Sequence, residues 1–167
     1  MFAIIGSLLA GLYGVIHDQI TYSISREYFT NLKFSQFENA LFSTSERLNV
    51  AIIGFLATHW VGLVCGWFLA RWYVPSKDNL KDSRQILIGF LKILLCAALF
   101  GVMGGILGYI KGPHADYSAW QNFLQARKVS DQWAFIRVAY IHNGGYLGAL
   151  VGLIATLIFQ KRHRENA

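Results

Sequence analysis

Residues 50–73, 86–110 and 134–159 form three stretches with almost no charge, each long enough to cross a bilayer. A crossing helix needs about 20 mainly apolar residues, because the hydrocarbon layer is about 30 Å thick and each helical residue rises 1.5 Å. Charged residues make up only 14% of the chain, against about 25% in a soluble domain, so these runs have no polar face to turn toward water. A fourth apolar run, residues 2–16, is shorter. It reaches full length only if its helix continues through His17-Asp18-Gln19 to about Ile24. It has no positive residue ahead of its apolar stretch and no A-x-A-like site close behind, so it reads as a retained helix rather than a cleaved signal peptide. The expected fold is all-α: an integral membrane four-helix bundle in one domain, residues 1–167, with helices at about 2–22, 49–73, 85–110 and 134–160.

The connections differ in character. In the first, roughly 25–48, Phe29, Leu32, Phe34, Phe37, Leu41 and Phe42 recur at loosely helical spacing. That pattern predicts an interfacial amphipathic segment between the first two helices. The second connection is short and polar, with a turn at Pro75-Ser76. The third mixes aromatic and polar residues and offers Ser130 or Asp131 as a cap for the fourth helix. With the N-terminus inside, Arg71, Lys77, Lys81 and Arg84 crowd one short inner loop, and Lys161, Arg162 and Arg164 flank the last helix on the same side. This density favours cytoplasmic termini. Trp72, Tyr73 and Trp133 stand where interfacial anchors are expected. The net charge of +6 suits anionic lipid. It does not suggest nucleic acid, since the cations flank apolar spans and no basic stripe is interleaved with stacking aromatics. Cys65 and Cys96 both lie inside apolar runs and read as small buried side chains, not as a disulfide framework.

Small residues recur on every expected helix: Gly6, Gly11 and Gly14; Gly62 and Gly66; Gly101, Gly104, Gly105 and Gly108; Gly144, Gly145, Gly148 and Gly152. Such spacing lets helix backbones approach closely in lipid, where packing replaces the hydrophobic drive. His17, His59 and His142 share helical faces with these stripes, so all three are expected to point inward. In the N-inside arrangement their depths are all roughly 8–14 Å from one end of the bundle. Neutral imidazole ligates zinc, copper and iron. A metal site built from His17, Asp18, His59 and His142, or a haem site, is therefore the leading expectation. Gln19, Glu27, Asn143 and Tyr146 are expected to support it, and Arg137 to act as counter-ion to Asp18 or Glu27. His114 and His163 read as solvated and headgroup-facing, and Glu38 and Glu46 as surface or cap charges. No nucleophile elbow, Walker loop, HExxH or dinucleotide fingerprint is present, so a soluble-type enzyme site is not expected.

The stretch IHDQITYSISREYFT, followed by KFSQF, and the later YIHNGGYLGALVGLI resemble a family of small, uncharacterised bacterial multi-pass membrane proteins with an HDQ…EYFT motif. The resemblance implies a bacterial inner-membrane location and carries no activity. It places His17, Asp18, Gln19, Glu27 and His142 within its motifs. Three functional classes remain: a membrane-embedded metal or haem site for binding, redox or transfer; a non-catalytic assembly factor or subunit whose histidines lock helices together; and a small proton-coupled carrier. A carrier with four helices would need to form a homo-oligomer or join partner subunits.

Overall fold

A computed structural model describes residues 1–41, 44–73 and 79–165, with the side chains of residues 73, 79–82 and 160–165 excepted. The expected turn at Pro75-Ser76 and the side chain of His163 lie outside what is described. Four long helices dominate: α1 (Phe2–Ile24), α2 (Glu46–Tyr73), α3 (Asn79–Lys111) and α4 (Gln132–Glu165). Each contains a segment long and apolar enough to cross a membrane, at the positions the apolar runs predict.

The side-chain distribution is that of a bundle in lipid. On α1 the large apolar residues Leu8, Leu12, Ile16 and Ile20 are exposed at four-residue steps. The opposite stripe, Gly6, Ala10, Gly14 and Asp18, is buried at the same step. Only about a third of each candidate span is buried. Water would penalise such a surface heavily, whereas lipid does not.

The bundle is made of two close pairs. α1 packs along α2, and α3 along α4; contacts between the pairs are sparser. Within the first pair the backbones nearly touch. A methyl at Gly14 would overlap the Gly54 carbonyl, and one at Gly62 would overlap the Gly6 carbonyl. Thr58 Oγ1 donates to the Ala10 carbonyl at 2.7 Å, a hydrogen bond between the helices at the same seam. In the second pair Gly104 abuts the Tyr140 carbonyl and Gly144 the Phe100 carbonyl. Looser contact between the pairs leaves a central cavity of about 60 Å3, lined by residues of all four helices.

The two long connections close one end of the bundle. α1 stops at Ser25, whose extended backbone breaks the helix and whose Oγ accepts from Tyr28 N–H at 3.3 Å. The first connection then divides into short turns, Arg26–Tyr28, Phe29–Lys33, Phe34–Gln36 and Glu38–Ala40, rather than one amphipathic helix. Its aromatic side reaches inward: Phe29 is fully buried, and Tyr28 and Leu32 join a core with Leu124, Phe135 and Ile136. The third connection starts at Gly112, whose φ of 75° lets the chain turn off the end of α3. The Tyr117 hydroxyl donates back to the Gly112 carbonyl at 2.6 Å. Asn31 Nδ2 donates to the Lys128 carbonyl at 3.2 Å, and Arg127 Nη1 to Ser35 Oγ at 2.9 Å, tying the two connections together. A second apolar core, with Leu69, Ile86, Phe90 and Leu153, fills the other end. The polar site lies between the two cores.

Candidate metal centre

Asp18 occupies the next four-residue step of the small stripe on α1 after Gly6, Ala10 and Gly14. It is therefore carried into the interior and is only 2% exposed. His17, one residue away, is turned about 100° from it on the helix and stays half-buried. His142 on α4 comes from the opposite pair and is 7% exposed. Its Nδ1 lies 3.0 Å from the Val138 carbonyl. A carbonyl only accepts, so Nδ1 carries a proton and Nε2 is the nitrogen left for other work. That nitrogen stands 3.2 Å from Asp18 Oδ1, a contact that requires one proton between the two atoms. The other carboxylate oxygen, Oδ2, is buried with no hydrogen-bond partner among the described residues.

One donor atom from each of His17, Asp18 and His142 lies within 4.8 Å of the other two. The ring centroids of His17 and His142 are 5.0 Å apart, edge to face, and the His17 ring has no hydrogen-bond partner among the described residues. A tetrahedral ion bound at about 2.0–2.2 Å requires donors about 3.4 Å apart. Donors up to 4.8 Å apart must therefore close by up to about 1.4 Å to reach that geometry, a shift of the size that side-chain rotation gives. The Nδ1–H to carbonyl bond of His142 is the arrangement that fixes the tautomer of a metal-bound imidazole.

Aromatic rings frame this group. Tyr13 stacks on His17 at 5.6 Å and Tyr28 on His142 at 4.9 Å. Lys33 reaches over the Tyr28 and Phe37 rings, with Nζ 5.9 Å from each centroid. Burial pulls its pKa below the usual 10.5, opposed by the negative charge of Asp18. Tyr13 is one turn before His17 and was within reach of helical reasoning. Tyr28 and Lys33 were not, because only the fold-back of the first connection brings them to the site.

Other expected members stand elsewhere. His59 is not in the group: its Nδ1 is 3.0 Å from the Leu56 carbonyl of its own helix, and its ring stacks on Phe55 at 5.7 Å. The stripe of α2 that meets α1 is Gly54, Thr58, Gly62 and Gly66, and His59 lies one residue off it. Gln19 turns toward α2, donating from Nε2 to the Arg47 carbonyl at 2.8 Å and accepting from Arg47 Nη1 at Oε1, 3.1 Å. Glu27 accepts at the start of α4, from Ser130 N–H at 3.1 Å and Asp131 N–H at 2.9 Å. Although partial burial works against its charge, these bonds hold its carboxyl below the usual 4.5. Asp131 itself caps α4, its Oδ1 accepting from Ala134 N–H at 2.9 Å.

Arg137 pairs with neither Asp18 nor Glu27; its guanidinium lies 5.1 Å from the centroid of the Tyr109 ring, and its Nε is buried without a hydrogen-bond partner among the described residues. Asn143 is exposed. Tyr146 lines the central cavity, its hydroxyl donating to the Ala57 carbonyl at 3.3 Å, so it links the two pairs. Glu46 accepts from Tyr22 and from Arg26, whose Nε is 2.8 Å away. Cys65 and Cys96 are free thiols. No protein-family model, curated protein or solved structure matches this chain, so the geometry alone carries the functional reading.

Proposed function

We propose that the chain is a multi-pass protein of the bacterial inner membrane, with both termini cytoplasmic, that holds a divalent transition metal through His17, Asp18 and His142. The observation that carries this reading is the buried Asp18 carboxylate, which has one oxygen on His142 and the other without a partner among the described residues. A buried carboxylate with a free oxygen is costly unless a cation or donor meets it. Two imidazoles and one carboxylate form a donor set suited to zinc or iron(II), with positions left open for a further ligand. The lack of a thiolate in the group argues against copper(I). The central cavity of about 60 Å3 has room for a few waters or a small co-ligand by the usual measure of ~10–15 Å3 each. That size favours a small ion over a haem.

The direct contact between His142 Nε2 and Asp18 Oδ1 supports a second reading. One shared proton would satisfy both atoms, and the pair would lock α1 to α4 without any metal, as in an assembly factor or the proton step of a carrier. Metal content separates the two. Protein purified in detergent, loaded with zinc or iron(II) and desalted should retain one ion per chain. His59→Ala should keep that ion, while Asp18→Asn and His142→Ala should lose it. A wild-type protein that retains no metal, or equal retention in all variants, would leave the proton-sharing lock as the standing account.

A further inference from the structure

The central cavity is a narrow slot. Along α1 it runs from Ala10 to Asp18, about 12 Å at 1.5 Å per residue, yet it encloses only about 60 Å3. A cavity of about 150 Å3 holds one benzene ring, so this shape admits a straight aliphatic chain and excludes a ring. Its walls are mostly apolar, and His17, Asp18 and His142 stand at one end. There the Asp18 carboxylate, 2% exposed, has its Oδ2 without a hydrogen-bond partner among the described residues. A buried acceptor of that kind is costly until a donor reaches it.

Apolar cores close the bundle above and below, one around Phe29 and Phe135 and the other around Leu69 and Ile86. The slot opens sideways instead. Of the described residues that line it, Tyr146 alone is exposed, at 39%. Tyr146 lies about 21 Å along α4 from Gln132, the middle of a 28-residue candidate span. The mouth therefore meets hydrocarbon rather than water, and molecules dissolved in the membrane are the ones that reach it. We propose that the slot binds a straight-chain amphiphile from the bilayer, with a single donor head, hydroxyl or ammonium, on Asp18 Oδ2 and its chain along the apolar wall toward Phe90 and Ile93. Both heads share the chemistry that Oδ2 lacks. Gly145 leaves room for the chain: a methyl added there meets only the Ala97 carbonyl, at 3.9 Å. This inference goes beyond the metal reading and requires no ion.

A diazirine-bearing 1-octanol, cross-linked by light to EDTA-treated protein in phosphatidylcholine nanodiscs and located by mass spectrometry, tests it. Labelling should saturate and fall on slot residues such as Ile93 and Ala149. Excess 1-octanol or octylammonium should displace it, and displacement by only one of the two identifies the head. Octane lacks the donor and cyclooctanol the straight chain, and each should compete at least tenfold more weakly. Ala149→Leu fills the slot and should cut labelling at least tenfold with helical circular dichroism unchanged. Gly145→Ala should cut it severalfold and stands in if the larger residue unfolds the bundle. Leu150→Phe, on the exposed face of α4, should leave it unchanged. Label spread evenly over lipid-facing side chains, equal competition by octane or cyclooctanol, or undiminished labelling in the folded filled variants overturns the inference. Each of those results leaves the metal reading to its own test of metal retention.

Discussion

Asp18 is the residue on which the site turns, and its place follows from spacing alone. A four-residue step from Gly14 carries it inward, while its neighbours Ile16 and Ile20 face outward. Asp18→Asn keeps a side chain able to hydrogen-bond His142 and should change stability by less than about 1 kcal/mol while abolishing metal binding. Asp18→Leu leaves His142 Nε2 unpaired and should cost about 1–3 kcal/mol in thermal unfolding in detergent. Glu27 makes a separate prediction. A carboxyl whose pKa is lower folded than unfolded binds fewer protons in the folded state, so its contribution is complete above the unfolded value. It is lost as pH falls through the folded one. Glu27→Gln should therefore destabilise by about 0.5–1 kcal/mol at neutral pH. The difference should disappear as pH falls below 4.5, the ordinary value that Glu27 undercuts. A destabilisation that persists unchanged at low pH would show that its charge plays no part.

At the scale of helices, the glycine stripes were readable because close approach in lipid needs small residues at fixed steps. The pairing that results makes a sharp contrast. Gly14→Ala drives a methyl into the Gly54 carbonyl, whereas Gly145→Ala meets only the Ala97 carbonyl at 3.9 Å. The first should cost about 1–3 kcal/mol and the second less than about 0.5 kcal/mol, compared as melting temperatures in one detergent. Similar losses at both positions would contradict the close seam between α1 and α2. Helical phase was legible only to within a residue or so: one position decides that Thr58 rather than His59 meets α1. The connections were less legible still. The aromatics of the first were visible as an apolar face, but nothing local says that the Tyr28 ring will meet that of Phe135 at 5.0 Å, a contact between residues over a hundred positions apart.

Across the whole molecule, two tightly sewn pairs meet around a polar centre to which each contributes donors. His17 and Asp18 belong to one pair and His142 to the other. Four crossings place both termini on one side and both long connections on the other. In intact cells, a membrane-impermeant thiol reagent should label Ser118→Cys in a background lacking Cys65 and Cys96, and should not label Ala167→Cys. The reverse pattern would invert the proposed orientation without moving the site. The central claim is that the two pairs share one metal ion. X-ray absorption at the zinc edge of the loaded, desalted protein tests it most directly. The account predicts two imidazole nitrogens and a carboxylate oxygen at about 2.0–2.2 Å, a signal lost in Asp18→Asn and His142→Ala. A shell containing sulfur at about 2.3 Å, or one without imidazole, would contradict it.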